Sequence, residues 1–150
     1  MPVRAVLDLN VLISGVLGLG LERASPPVTT LVAALENRFQ AVASPRLLEE
    51  FAAVLQRPRF GLGADLAHRW ADLVGSAAEL VSTQGRVRVL TRDPADNEVL
   101  ECALAGRAEF VVAGNLRHFE ELRPRDTGKI VWRGVRVVTP REFVGTALGL

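Results

Sequence analysis

Val3-Arg4-Ala5-Val6-Leu7-Asp8-Leu9-Asn10 is a short apolar run that stops at a carboxylate. It reads as a buried strand with Asp8 at its carboxyl end. An ionised carboxylate there loses hydration, so it needs a cation, backbone N–H donors or a shifted pKa. The ordinary alternative is that Asp8 caps the helix that follows. Similar apolar runs recur at 39–43, 86–90, 110–113 and 135–138, with helical spacing at 28–38, 45–56, 64–81, 95–106 and 140–148. Such alternation implies right-handed crossovers between parallel strands. The chain is therefore expected to be α/β, a single domain over 1–150. Its central, mainly parallel five-stranded sheet is expected to be flanked by helices in three α/β/α layers. Glycines and prolines mark 15–27 as a mobile loop, and 123–134 reads as a second irregular stretch. Ligands of such sheets bind beyond the carboxyl ends of the strands, which directs attention to the polar residues that end each apolar run.

Composition narrows the field. A chain of 150 residues buries enough surface to need no disulfide or structural metal, and one cysteine, Cys102, permits no internal disulfide. That usage suits a reducing compartment, so the cytoplasm is expected. The apolar stretch 3–21 is interrupted by Asp8 and Asn10 and reads as neither a signal peptide nor a membrane span. A net charge of +1 produces no global field for nucleic acid, so any polyanion site must be local. There is no HExxH, GxxxxGK[ST], GxGxxG after the first strand, or GxSxG. His68 and His118 stand outside any recognisable triad, and Cys102 reads as a small core residue.

Three further segments bring acids or amides to strand ends. Ser44-Pro45 opens a helix whose apolar stripe is Leu47, Leu48, Phe51, Val54 and Leu55. Glu50 lies at the stripe's edge and Glu49 on the solvated face; pairing of Glu50 with Arg46 or Arg57 is the bland alternative. In Asp93-Pro94-Ala95-Asp96-Asn97, Asp93 reads as a cap, while Asp96 projects onto the buried stripe of Val99, Leu100 and Ala103. Phe110-Val111-Val112-Ala113 ends in Gly114-Asn115, and Arg117 and His118 taken alone read as solvated. Carboxylates from three segments at one sheet edge form a cup of hard oxygen ligands suited to Mg²⁺ or Mn²⁺.

These blocks resemble the PIN-domain family, in particular the toxin components of bacterial and archaeal toxin–antitoxin systems. The similar stretches are Val6 to Gly15, Ser44 to Phe60, Asp93 to Ala103 and Phe110 to Asn115, nearly the whole chain. The resemblance implies a metal-dependent endoribonuclease in which Asp8, Glu50 and Asp96 hold Mg²⁺ or Mn²⁺. Asn10 and Ser14 would support the site by hydrogen bonding, with Asn115 as a neutral ligand or water-positioner and Asp93 as accessory. Arg117, Arg57 and Arg59 become the candidate phosphate contacts. The resemblance also leaves room for a small cognate antitoxin protein and a homodimer, with no membrane involved. Leu9 stands where the family usually has Thr, and Asn115 where it often has Asp, removing a hydroxyl and one negative charge. The alternatives are a PIN-fold module that binds nucleic acid or protein with little catalysis, and a phosphatase using Asp8 as nucleophile. The phosphatase lacks an acid at Asn10 and has only Lys129 for its lysine.

Overall fold

Arg4–Leu7 forms the first strand, β1, in the middle of the sheet, where buried neighbours on both faces demand an apolar strand. The computed structural model describes residues 2–124 and 128–150. After β1 come α1 (Leu9–Gly20), α2 (Pro26–Leu35), β2 (Gln40–Ala43), α3 (Pro45–Leu55), α4 (Gly63–Ala77) and β3 (Glu79–Leu80). The chain continues with α5 (Asn97–Ala105), β4 (Phe110–Val112), β5 (Ile130–Trp132), β6 (Val135–Val138) and α6 (Pro140–Glu142), the last widening into a π-helical turn over Phe143–Ala147. Short 3₁₀ turns occupy Pro58–Phe60, Pro94–Asp96 and Leu116–Leu122.

The strand order is β3-β2-β1-β4-β6-β5, parallel throughout except for β5 against β6. Alternate residues face opposite layers. Ala5 and Leu7 pack with Leu12, Leu31 and Phe51 beneath α1 to α4, while Val6 packs with Leu100 and Ala103 of α5 on the other side. From β1 the chain builds outward to β2 and β3, then crosses back and places β4 on β1's other flank. The order therefore reverses between β1 and β4, which opens a crevice at their carboxyl ends. Asp8 stands at that point, its N–H donating to the Val112 carbonyl at 2.9 Å.

The structure corrects three expectations. Residues 86–90 are not a strand; the third strand is Glu79–Leu80, inside the stretch expected to be helical. Only Leu90 of that run is buried, and side chains rather than a neighbouring strand satisfy the backbone around it. The described sheet has six strands rather than five, because Ile130–Trp132 pairs back on β6. Arg133 and Gly134 make that hairpin turn, with φ of 49° and 80°, the left-handed pair a tight two-residue turn requires. Residues 125–127 of the expected irregular stretch lie outside the described residues. The expected mobile loop at 15–27 is largely helix, since α1 continues to Gly20 and Ser25 caps α2, accepting from the Val28 N–H. Gly15 and Gly18 are contact points of the two helices: a Cβ on Gly15 would stand 2.9 Å from Leu31 Cβ, and one on Gly18 2.6 Å from Val28 Cγ2.

Candidate metal centre

Asp8 is 4% exposed and turns one carboxylate oxygen, Oδ1, to the Leu9 N–H at 2.8 Å. Capping α1 is thus part of its work, and it remains a buried charge. Burial pushes its carboxyl up to about 7; the charges of Asp96 and Glu50 add to this, while the Leu9 N–H and His118 oppose it. Asp96 ends the 3₁₀ turn at the mouth of α5 and is also raised, chiefly by burial. His118 works against that rise, whereas Asp93 and Glu50 add to it. His118 Nδ1 lies 3.1 Å from Asp96 Oδ2.

Asp93 occupies the cap position before Pro94, yet its side chain makes no capping bond; the Asp93 carbonyl accepts from the Asp96 N–H at 3.0 Å. Its carboxylate instead joins Asp96 and His118, and ligand atoms of these three lie within 4.8 Å of one another. The expectation of a side-chain cap at Asp93 is corrected accordingly. Asp8, Asn10, Arg92, Asp93, Asp96 and His118 line one cleft of about 320 Å³. Residues 4–117 match the PIN domain family.

The chain belongs to the PIN domain family. The matched region runs from β1 past β4 and takes in Asp8, Glu50, Asp93, Asp96 and Asn115. No curated protein matches the chain. A PIN domain is a nuclease-type fold, and an Asp, Asp and His group suited to a divalent metal fits that class.

Within this PIN domain, Glu50 is exposed on α3, and its charge reaches both Asp8 and Asp96. Glu49, its neighbour, lines a groove of about 750 Å³ between α3 and α4, a larger cavity that holds none of the acidic cleft. Among the described residues no ion pair joins Glu50 to Arg46 or Arg57. Asn10 lines the cleft from the first turn of α1, and Ser14 sits exposed one turn on. Asn115 is exposed, does not line the cleft, and spends its Oδ1 capping the 3₁₀ turn through the Arg117 N–H at 3.0 Å. Arg117 is exposed in that same turn. Arg57 and Arg59 follow the far end of α3, whose 11 residues carry them about 16 Å from the carboxyl end of β2. Arg59 lies over the Phe60 ring at 4.7 Å.

His118 is the cluster member that the reading of residues left out. Its local spacing carries no signal: it reaches the cluster through the contact of the turn after β4 with Asp96. The other histidine, His68, is exposed on α4 with Nδ1 2.8 Å from the Ala64 carbonyl. Cys102 is a core residue, fully buried, its thiol pushed up to about 12 by burial.

Proposed function

We propose that this PIN domain is a Mg²⁺- or Mn²⁺-dependent endoribonuclease acting in the cytoplasm, the toxin of a toxin–antitoxin pair with a small cognate antitoxin protein. The observation that carries the reading is the convergence of Asp8, Asp93, Asp96 and His118 where the strand order reverses. Two carboxyls there are raised by burial and by neighbouring carboxylate charge, Asp8 by Asp96 and Glu50 and Asp96 by Asp93 and Glu50, so both ionise cheaply only when a cation joins them. Hard oxygen donors with one imidazole suit a small divalent ion, and Asp8, Asp96 and Glu50 would hold it, with Asp93 beside them. Such an ion supplies charge neutralisation of the scissile phosphate and support for the leaving oxygen. The chain's own residues do the positioning. The Leu9 N–H fixes the Asp8 carboxylate, and His118 Nδ1 as a donor orients Asp96 and its second oxygen toward the cleft. Asn10 adds an uncharged donor and acceptor on the α1 wall.

Cleavage of a fluorescent single-stranded RNA with Mn²⁺ tests the reading. Asp8→Asn and Asp96→Asn are each expected to lower the rate at least 100-fold while melting at or above the wild-type temperature, and EDTA is expected to abolish cleavage. Cleavage that persists in EDTA or in Asp96→Asn would sink the proposal. RNA bound and never cut would favour the binding module instead.

A further inference from the structure

Residues 81–92 have no regular secondary structure, yet side chains of neighbouring elements hold them along their length. Thr83 donates to Glu98; the Gln84, Arg86 and Val87 N–H groups donate to Glu101; the Leu90 N–H and carbonyl bond Asn97; the Thr91 and Arg92 N–H groups donate to Glu121. Three carboxylates are thereby turned to backbone and hydroxyl donors rather than to arginines. Among the described residues no ion pair includes Arg46, Arg88 or Arg92.

Two of these guanidinium groups converge. Arg46, in the first turn of α3, brings an Nη to 3.9 Å from where a Cβ on Gly85 would stand, and Arg88 Nε donates to the Gly85 carbonyl at 3.3 Å. Both line a groove of about 700 Å³ whose wall includes Glu50, Pro94 and Ala95. Pro94 and Ala95 also line the acidic cleft, where Arg92 stands. The groove and the cleft therefore meet. Glu98 and Glu101 also line the groove, but their oxygens are taken by hydroxyl and backbone donors, whereas Arg46 and Arg88 beside them enter no ion pair among the described residues.

We infer that a single polynucleotide strand reaches the acidic cleft along this groove, its phosphates held by Arg46, Arg88 and Arg92 over the pinned segment 81–92. The inference rests on the nuclease reading and adds the path of the substrate. Carboxylates repel a polyanion at close range, so a strand can lie across them only if cations hold it beside them. The groove's volume is that of a small-ligand site, enough for a stretch of one strand. No aromatic side chain among the described residues lines it, so it offers no platform for base stacking. Recognition there is of the backbone, independent of sequence and sensitive to salt. These arginines differ from Arg57, Arg59 and Arg117, the phosphate contacts expected under the family resemblance.

The experiment is anisotropy of a fluorescein-labelled 12-nucleotide oligouridylate with the full chain in EDTA, over a range of KCl concentrations. Each of Arg46→Gln, Arg88→Gln and Arg92→Gln is expected to flatten the slope of log K against log[KCl] by about 0.7, one phosphate contact each. Arg38→Gln, away from the groove in a pair with Glu36, is expected to keep the wild-type slope, as is the charge-preserving Arg88→Lys. Melting curves confirm that each variant is folded. Absence of binding, an unchanged slope in the three glutamine variants, or an equal change in Arg38→Gln overturns the path. Tighter binding of a duplex of equal length overturns the single-strand assignment. Mn²⁺-dependent cleavage is read separately. Cleavage with unchanged slopes overturns only the path, whereas arginine-dependent binding without cleavage supports the path and overturns the nuclease reading.

Discussion

Asp8 carries two tasks that pull in opposite directions. As a cap it needs only an acceptor for the Leu9 N–H, which an amide oxygen provides as well; as a buried carboxylate it costs free energy whenever it ionises without a cation. Its proton is held up to about pH 7 in the fold against an ordinary value of 3.8, so the folded state binds more protons between those values and loses stability as pH rises through them. The metal-free Asp8→Asn protein is therefore expected to exceed wild type in stability at pH 8, by at most about 4 kcal/mol, with the gain shrinking at pH 5 and gone near pH 4. Denaturant unfolding in EDTA at the three pH values reads this. A gain that is absent at pH 8 would mean that Asp8 is solvated in the metal-free protein. Asp8, Asp93 and Asp96 were legible in the sequence because each follows an apolar run or opens a helix. His118 was not, because its bond to Asp96 exists only once the turn after β4 folds over the mouth of α5.

Elements were legible where their period was local and obscured where packing overrode composition. Gly15, Gly18 and Gly20 read as loop residues, but the first two let α1 and α2 approach closely, so a helix runs through them. Gly15→Ala is expected to destabilise by about 1 to 3 kcal/mol, since the new methyl group meets Leu31 Cβ and the Pro27 carbonyl oxygen. Gly20→Ala, with nothing within 4 Å, is expected to be neutral or slightly stabilising. Equal melting of the two variants would contradict the close helix contact. The segment at 86–90 misled for the opposite reason. Its apolar alternation suits a strand, but its backbone donors are taken by Glu101 and Asn97, and that satisfaction needs no sheet. At β5 the cue was weak: Arg133-Gly134 lacks the Asn-Gly or Asp-Gly pair that marks a two-residue hairpin, and Arg133 takes its left-handed conformation only once β5 pairs with β6.

At the scale of the molecule, alternating strand and helix determines where a site can form, because a mainly parallel sheet that reverses its order between β1 and β4 must open there. The acids that gather at that opening destabilise the metal-free chain, so a cation bound among them would stabilise the fold. At Mn²⁺ a hundredfold above its Kd, the wild-type chain is expected to gain about 2.7 kcal/mol, a rise in Tm of roughly 5 to 10 °C for a domain of this size. Asp8→Asn, Asp96→Asn and Glu50→Gln are expected to lose most of that rise, each for want of a charge at the cluster. Glu49→Gln is expected to keep it, because Glu49 faces the groove between α3 and α4. Asn115→Asp is expected to keep it unchanged too: its side-chain oxygen is committed to the Arg117 N–H, and Asp caps that turn equally well. Melts with and without Mn²⁺ on these five variants decide the membership of the centre. A larger Mn²⁺ shift in Asn115→Asp would bring Asn115 into the cluster, and equal losses in Glu49→Gln and Glu50→Gln would remove Glu50 from it.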